Sequence, residues 1–373
     1  MTGQHVLITG GAGFIGSHVA VELLSRGYRV RVLDNLTPQV HGPNRARPDY
    51  LSRDVELIVE DVRNAAAVRR ALSGIDAVFH LAAAVGVGQS MYEIAEYTSI
   101  NCLGTAILLQ ELIKRPVARL VVASSMSVYG EGLYRTCGGA IVENACRSVE
   151  QVKSGDWEPG DDAGRKLIPL PTPESKATSL SSIYALSKLD QERMCLMIGR
   201  TYGIPAVALR FFNVYGPYQA LSNPYTGVLA IFSARLLNGK RPLINEDGNQ
   251  RRDFVNVSDV ARACRLALEA KPAAYRVFNV GSGHPVTILE VAQRLAEVLG
   301  KSHLTPQITN RYRAGDIRHC FADIAQAREV LGFRPQVEFE AGLLRLASWL
   351  ERQVTGDGAD ESGAELEQRG LMV

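Results

Sequence analysis

Tyr184 and Lys188 are the two side chains of this sequence whose types and spacing point most directly to chemistry. They lie four residues apart, so on a helix they share one face, one turn from each other. A cation about 4 Å from a phenol favours the phenolate by roughly 4 kcal/mol at an effective dielectric of about 20, or about three pKa units. Such a shift would bring the pKa of Tyr184 towards neutrality and make it a general base. Taken alone, the same spacing also occurs in exposed helix pairs.

Ser125 is the third candidate for this chemistry. It lies in the run Ser-Ser-Met-Ser-Val-Tyr-Gly at 124–130, directly after an apolar run at 119–123 that predicts a strand. The end of that strand would deliver the serine to the edge of a sheet. There it could donate a hydrogen bond to the substrate oxygen that Tyr184 deprotonates and shuttle its proton.

Glycines near the amino terminus predict a dinucleotide site. Gly10, Gly13 and Gly16 follow a predicted strand at 5–9 and open a predicted helix, with Phe14 and Ile15 between the last two glycines. Glycines at this spacing allow a tight turn and a close approach of the backbone to a pyrophosphate, whose charge faces the helix N-terminus. A tight turn without a ligand is the alternative.

Residues at the ends of the next strands extend this predicted site. Asp34 closes the second strand and is followed by Asn35; its carboxylate could accept from both ribose hydroxyls and would repel a 2′-phosphate, which favours NAD over NADP. Asp61 and Val62, after the third strand, are placed to touch the adenine, although Asp61 could instead cap a helix. After the fourth strand come small residues across which the cofactor could lie: Leu81, Ala82 and Ala83.

Alternating apolar runs and amphipathic stretches predict the elements that position these residues. Apolar runs separated by helices indicate a parallel sheet covered on both faces, a doubly wound Rossmann α/β fold. We predict a Rossmann domain at 1–216 with an insert at about 131–182, a smaller mixed α/β substrate-binding lobe mainly at 217–353, and a disordered tail at 354–373. The predicted strands are 5–9, 29–33, 56–60, 77–81, 119–123 and 206–211, and the predicted helices among them are 16–26, 65–72, 98–114 and 182–202.

Composition excludes several other classes of protein. The 373 residues carry 41 Lys and Arg against 39 Asp and Glu, a formal charge of +2 without a basic run, so nucleic acid is not an expected partner. No apolar run reaches the length of a membrane span, and nothing resembles a signal peptide. The six cysteines are scattered without a CxxC pair, which predicts reduced thiols, no metal site and a cytoplasmic location.

Together these motifs resemble the nucleotide-sugar epimerase/dehydratase family of extended short-chain dehydrogenases/reductases, over about residues 4–350. The resemblance implies that Tyr184 is the base, that Lys188 holds the nicotinamide ribose and depresses the tyrosine pKa, and that Ser125 assists. It implies NAD as cofactor and a homodimer formed through the helices at 98–114 and 182–202. It also assigns Asn101 and Phe212 to the cofactor, and the following residues to a nucleotide-diphosphate sugar: Ser127, Asn213, Thr226, Arg252, Arg313 and Asp316. Arg252 and Arg313 could instead be solvated surface arginines.

The reaction is predicted from what the strand-end motif lacks. Family members that eliminate water carry an acid between the serine and the tyrosine of this motif, where the present sequence has Met126 and Ser127. This predicts a 4-epimerase, and residues 126–134 with the long insert that follows resemble the dTDP-L-rhamnose 4-epimerase group, which makes dTDP-6-deoxy-L-talose. That group often carries cysteine pairs in the insert, whereas this chain has only Cys137 and Cys146. UDP-glucose, UDP-N-acetylhexosamine and UDP-glucuronate 4-epimerases, a 4-ketoreductase and a non-catalytic NAD-sensing protein remain alternatives.

Overall fold

The computed structural model describes residues 3–219, 227–313, 315–351 and 365–372. The strands are β1 (His5–Thr9), β2 (Arg29–Asp34), β3 (Glu56–Val59), β4 (Ala77–His80), β5 (Arg119–Ser125), β6 (Leu133–Arg135), β7 (Ile141–Val142), β8 (Ile168–Leu170), β9 (Ala206–Phe211), β10 (Asn213–Tyr215), β11 (Leu243–Ile244), β12 (Arg251–Asn256), β13 (Val277–Val280), β14 (Pro285–Thr287), β15 (Gln307–Ile308) and β16 (His319–Cys320). The α-helices are α1 (Phe14–Leu24), α2 (Pro38–His41), α3 (Ala65–Ala71), α4 (Val87–Ser90), α5 (Ile94–Tyr97), α6 (Gly104–Lys114), α7 (Val149–Lys153), α8 (Ile183–Tyr202), α9 (Val228–Leu237), α10 (Val257–Glu269), α11 (Ile288–Val298), α12 (Ala325–Leu331) and α13 (Phe339–Leu350).

The central sheet has seven parallel strands in the order β13-β9-β5-β4-β1-β2-β3. Successive side chains of each strand point to opposite faces, so both faces are apolar and both are covered by helices. Helices α1 and α10 pack on the face that includes Val6 and Ile8. Helices α3, α6 and α8 pack on the face that includes Leu7. The predicted doubly wound Rossmann fold is confirmed.

A smaller lobe follows the carboxyl edge of this sheet. Strands β10, β12, β14 and β16 form one short sheet, β11 pairs with β15, and helices α9, α11 and α13 pack together around Phe232, Leu295 and Leu346. The insert forms a separate three-stranded sheet in the order β7-β6-β8. Both units therefore lie beyond the strand ends, where ligands of such sheets bind.

Two features differ from the sequence-based expectations. Strand β13 was expected in the C-terminal lobe, but it pairs with β9 as the edge strand of the central sheet, and α10 covers the same sheet. Alternation of strand and helix therefore continues past residue 216. The predicted disordered tail is also wrong for residues 365–372, where Leu366 is buried and the Arg369 guanidinium lies 3.9 Å from the centre of the Tyr92 ring. These contacts offset the entropy of ordering this segment.

Candidate active site

The glycine-rich turn joins β1 to α1 at the carboxyl edge of the sheet. Gly10 has φ of 69°, and a Cβ atom there would lie 2.7 Å from the amide nitrogen of Ala82. A Cβ atom on Gly16 would lie 2.4 Å from the carbonyl oxygen of Gly10. The turn is therefore packed so closely that only glycine fits at positions 10 and 16, and its backbone lines the cavity at the start of α1, where a pyrophosphate could approach it. The backbone and the surrounding residues fit NAD.

Asp34 ends β2 beside this turn. One carboxylate oxygen accepts from the amide of Ala12 at 2.9 Å and the other from the amide of Leu36 at 2.9 Å. These bonds fix the carboxylate at the rim of the cleft, and each oxygen retains capacity for a ribose hydroxyl. Asn35 donates to Asp61 at 3.1 Å.

Asp61 serves as an ion partner and does not cap a helix. Its carboxylate binds the Arg63 guanidinium with 2.8 Å between Oδ2 and Nη2, and hydrogen bonds from Arg63 lower the pKa of Asp61 to about 2. The N-cap of α3 is Asn64, whose side chain accepts from the amides of Ala66 and Ala67. The capping alternative for Asp61 is therefore wrong.

A cavity of about 650 Å³ runs along the carboxyl edge of the central sheet and holds most of the predicted site residues together. Two of its lining residues, Asn213 and Gln219, have buried side-chain oxygens without a hydrogen-bond partner, as expected where a ligand would donate. The predicted residues that line the cavity are Gly10, Gly13, Phe14, Ile15, Gly16, Asp34, Asn35, Asp61, Val62, Leu81, Ala82, Ala83, Ser125, Ser127, Tyr184, Lys188, Phe212 and Asn213.

Four of the other predicted residues do not line this cavity. Asn101 is fully buried behind it: its amide exchanges hydrogen bonds with the backbone of Ala84 at 2.8 and 3.1 Å, so it fixes the cavity wall. Arg252, Arg313 and Asp316 lie together in the C-terminal lobe, where the Arg252 Nη2 and an Asp316 oxygen are 3.7 Å apart. Thr226 lies outside the described residues.

Helix α8 brings Tyr184 to the cavity. The Ser182 side chain caps the helix by accepting from the amide of Ala185 at 3.1 Å, and Ser90 accepts from the amide of Tyr184 at 3.0 Å. Ser125, at the end of β5, accepts from the Ser127 hydroxyl at 2.9 Å. The phenol of Tyr184 and the hydroxyls of Ser125 and Ser127 therefore meet at one strand end.

The electrostatics of the pair differ from the sequence-based expectation. Burial raises the pKa of Tyr184, and a hydrogen bond with Ser125 acts in the opposite direction. Lys188 is not among the groups that shift this pKa, so the expected depression is absent; its ammonium donates instead to the side chain of Gln191 at 2.6 Å. Burial lowers the pKa of Lys188 to about 8.

A buried polar network, which the sequence motifs did not predict, lies behind Lys188. Gln191 accepts from Lys188 and donates to Thr105 at 2.9 Å; the two ring nitrogens of His80 lie 2.8 Å from the hydroxyls of Thr9 and Thr105. Burial lowers the pKa of His80 to about 3, so its imidazole is neutral. The signal was a histidine ending the otherwise apolar strand β4 and a glutamine one turn after the lysine.

Metal chemistry and membrane insertion find no support in the described ranges. No cluster of three or more His, Cys, Asp or Glu side chains is arranged to hold a metal ion there. All six cysteines, which lie within the described ranges, are free thiols, and Cys137 and Cys146 are exposed. None of the described helices combines the length and apolar character that a bilayer crossing requires.

A parallel Rossmann sheet with this glycine turn, an acid after β2, and a serine and a Tyr-Lys pair at the carboxyl edge defines a short-chain dehydrogenase/reductase. Residues 6–281 match the model of the NAD dependent epimerase/dehydratase family. The chain belongs to this family, and it is an NAD-dependent enzyme of the epimerase type.

Individual relatives are similar over nearly the whole chain. A dTDP-L-rhamnose 4-epimerase of Burkholderia thailandensis is 36% identical over 357 residues, covering 94% of this chain and 96% of that protein. The crystal structure of a UDP-glucose 4-epimerase from Thermotoga maritima with UDP-glucose has a TM-score of 0.75 at 31% identity, covering 94% of this chain and 99% of that one. A UDP-glucuronic acid 4-epimerase from Bacillus cereus, solved with UDP-glucuronic acid and NAD, has a TM-score of 0.75 at 28% identity, with the same coverage of 94% and 99%.

Proposed function

We propose that this protein is a nucleotide-sugar 4-epimerase whose substrate is dTDP-L-rhamnose and whose product is dTDP-6-deoxy-L-talose. The strand-end motif beside Tyr184 is the observation that supports epimerisation as the type of reaction. Ser125 faces the cavity, and the two positions after it are Met126, an apolar side chain, and Ser127, a hydroxyl bonded to Ser125. None of these residues can protonate a leaving hydroxyl as a carboxylic acid does, so elimination of water lacks its catalyst.

The side chains of the site support a reversible oxidation at C4 of the sugar. NAD⁺, when bound, supplies the acceptor for the C4 hydride. Tyr184 takes the proton of the 4-hydroxyl, while Ser125 donates a hydrogen bond to the same oxygen and holds it as the carbonyl forms. Lys188, on the same helix face as Tyr184, is the residue that would hold the nicotinamide ribose. After the 4-keto sugar rotates, C4 would take the hydride back on its opposite face, and Tyr184 gives its proton back to the oxygen.

The sugar and the nucleotide are assigned from similarity. The dTDP-L-rhamnose 4-epimerase relative matches this chain over 94% of its length, and the run at 126–134 resembles that group. UDP-glucose, UDP-N-acetylhexosamine and UDP-glucuronate are the alternative substrates, because UDP-sugar epimerases have the same fold at 28–31% identity.

We also propose a cytoplasmic homodimer. In the family resemblance, the pairing helices correspond to α6 and α8. Leu108 and Leu112 of α6 are buried in the core of this chain, but Leu103, Leu186 and Met197 at or near these helices are exposed, Met197 by 63%. Three large apolar side chains on this face support burial against a second copy. The cytoplasmic location is supported by six free thiols.

The test is to incubate the protein with dTDP-L-rhamnose and, separately, with the UDP-sugars, and to follow C4 inversion by NMR. We expect inversion of dTDP-L-rhamnose without net NADH formation. Loss of water or stoichiometric consumption of reduced cofactor would contradict the proposal, and the latter would indicate a 4-ketoreductase. Light scattering of the same sample measures the mass of the assembly.

Tyr184→Phe provides the mechanistic control. Removing the base should lower kcat by about 10²-fold or more while bound NAD is retained. Tyr28→Phe removes a phenol that bonds to Glu269, away from the cavity, and should leave kcat unchanged. Equal C4 inversion by Tyr184→Phe and wild type would exclude this mechanism. Absence of inversion in both proteins, with an unchanged biological output of the variant, would favour the non-catalytic NAD-sensing alternative.

A further inference from the structure

The insert is joined to the C-terminal lobe by a network of buried charges, which we call the insert–lobe clamp. The clamp consists of side chains from three distant segments that meet where the insert sheet approaches β16. Its members are Glu131, Arg147 and Glu158 of the insert, Glu246 and Asp247 after β11, and Arg318 and His319 of the loop that leads into β16.

Arg318 is the centre of the clamp. Its side chain is 0% exposed, and its guanidinium is bound by three carboxylates. Nη2 donates to Glu158 at 2.6 Å, and Nη1 donates to Glu246 at 2.8 Å and to Asp247 at 2.7 Å. Burial would raise the pKa of Glu158, but hydrogen bonds from His319 and Arg318 outweigh it and hold that pKa at about 2. Glu158 is therefore ionised and fully engaged.

The insert also holds the backbone of this loop. Glu131 accepts from the amide of Arg318 at 2.7 Å and from the amide of His319 at 3.2 Å. Arg147 donates to the carbonyl oxygen of Asp316 at 2.9 Å, while its other terminal nitrogen binds Glu246 at 2.8 Å. Loop residues 316, 318 and 319 are thus each tied directly to an insert side chain.

The clamped loop in turn fixes the direction of the Arg252 side chain. The Arg252 guanidinium donates to the carbonyl oxygens of Ile317 and Arg318, the latter at 3.0 Å, and lies beside the Asp316 carboxylate. Arg313, just before this loop, has a buried Nε without a hydrogen-bond partner. The direction of Arg252, one of the two candidate diphosphate-binding arginines, therefore depends on a backbone that the insert fixes.

We propose that Arg147 and Glu158 are positioning residues, through which the insert holds the 315–319 loop in the geometry that binds the nucleoside diphosphate. This rests on the proposed function, which makes that loop the site of the nucleotide. A loop fixed before binding loses less conformational entropy when the ligand arrives, so the clamp increases affinity without touching the ligand. The insert thereby acts on substrate binding, while the proton and hydride chemistry at Tyr184 and Ser125 is separate from it.

The test compares Arg147→Gln and Glu158→Gln with wild type in the NAD-loaded protein. We expect the Kd for TDP or UDP, measured by calorimetry, and the KM for the sugar nucleotide to rise about 10-fold or more, because the loop must now be ordered on binding. The kcat and the NAD content should stay within about 3-fold, since the clamp residues lie outside the set that lines the cavity of the predicted cofactor residues. Arg147→Lys keeps the charge but not the forked geometry, and should have an intermediate effect.

Arg165→Gln is the matched control. Arg165 lies in the same insert and forms an ion pair with Asp161 at 2.8 Å, but its side chain is exposed and its ion partner belongs to the insert itself, so the Kd should not change. Variants with lowered thermal stability but an unchanged Kd would show that the clamp is merely structural and would overturn the proposal.

The binding measurement separates this proposal from the proposed function. If wild type binds TDP or UDP but inverts no sugar, and both variants lose that affinity, the epimerase proposal is contradicted and the clamp proposal is supported. A wild-type protein that inverts C4 while the variants bind as tightly as wild type would support the epimerase and overturn the clamp. If wild type binds neither diphosphate, the loop is not a nucleotide site and the clamp proposal fails.

Discussion

A buried ion pair between Glu192 and Arg210 connects α8, the helix that carries Tyr184, to β9, the strand that pairs with the strand of Ser125. Glu192 lies on α8 one turn beyond Lys188, and Arg210 lies on β9; their oxygens and nitrogens are 2.7 and 2.9 Å apart in a forked arrangement. Ser124 donates to the same carboxylate at 2.7 Å. Both ionic side chains are at most 3% exposed. We predict that Glu192→Gln strongly destabilises the protein.

The magnitude follows from the geometry of the pair. With the charge centres about 4 Å apart, an effective dielectric of about 20 gives about 4 kcal/mol of attraction. Burial alone would lower the pKa of Arg210, but hydrogen bonds and charge from Glu192 outweigh it and raise that pKa. The variant loses this support, but a guanidinium is too basic to give up its proton in a protein, so Arg210 stays charged. Leaving a buried charge without its partner costs about 3–5 kcal/mol, which is the expected loss of unfolding free energy.

Denaturant titration of the NAD-loaded protein measures this loss. Arg210→Met should cost about as much as Glu192→Gln, because each leaves one polar partner stranded. The double variant Glu192→Met with Arg210→Met should lose less than the sum of the single variants, since an apolar pair needs no counter-charge. Glu340→Gln, which breaks the exposed ion pair with Arg294, is the control and should cost less than about 1 kcal/mol.

Two results would refute this reasoning. One is a loss below about 1 kcal/mol for Glu192→Gln, which would mean that water or another group replaces the carboxylate. The other is strict additivity of the two single variants, which would mean that the charges do not interact.

Two further predictions concern the cofactor side of the cavity. Burial lowers the pKa of Lys188 from 10.5 to about 8, so between these pH values the folded protein has lost this proton while the unfolded chain still binds it. The free energy of unfolding, relative to Lys188→Met, should therefore rise by up to about 3 kcal/mol as pH increases from about 8 to about 10.5. Denaturant titrations of both proteins measure this difference. Gly16→Ala should abolish NAD retention, because the new Cβ would lie 2.4 Å from the carbonyl oxygen of Gly10. The assay is the amount of cofactor released on denaturation. Gly138→Ala is the control and should retain NAD, because the nearest atom to its Cβ lies 3.7 Å away. A Lys188 difference independent of pH, or normal NAD content in Gly16→Ala, would contradict these predictions.

Local patterns determined much of this protein. Apolar strands alternating with helices imply a parallel sheet, and in such a sheet the residues after each strand must meet at one edge. For that reason Gly10, Asp34, Ala82 and Ser125, spread over more than a hundred positions, could be assigned to one cavity from their place after a strand. Tyr184 followed from its spacing to Lys188.

Only the tertiary structure decided the contacts that depend on several distant segments. Asn101 has the right residue type for the cofactor site, but its amide is used by the backbone of Ala84. The pKa of Tyr184 depends on the burial of its side chain, which cannot be deduced from its spacing to Lys188 in the sequence. Arg318 meets its carboxylates from two other segments across 71 to 160 positions of sequence. Residue type and local period define elements and their exposed ends, whereas desolvation and long-range pairing exist only once the elements have packed.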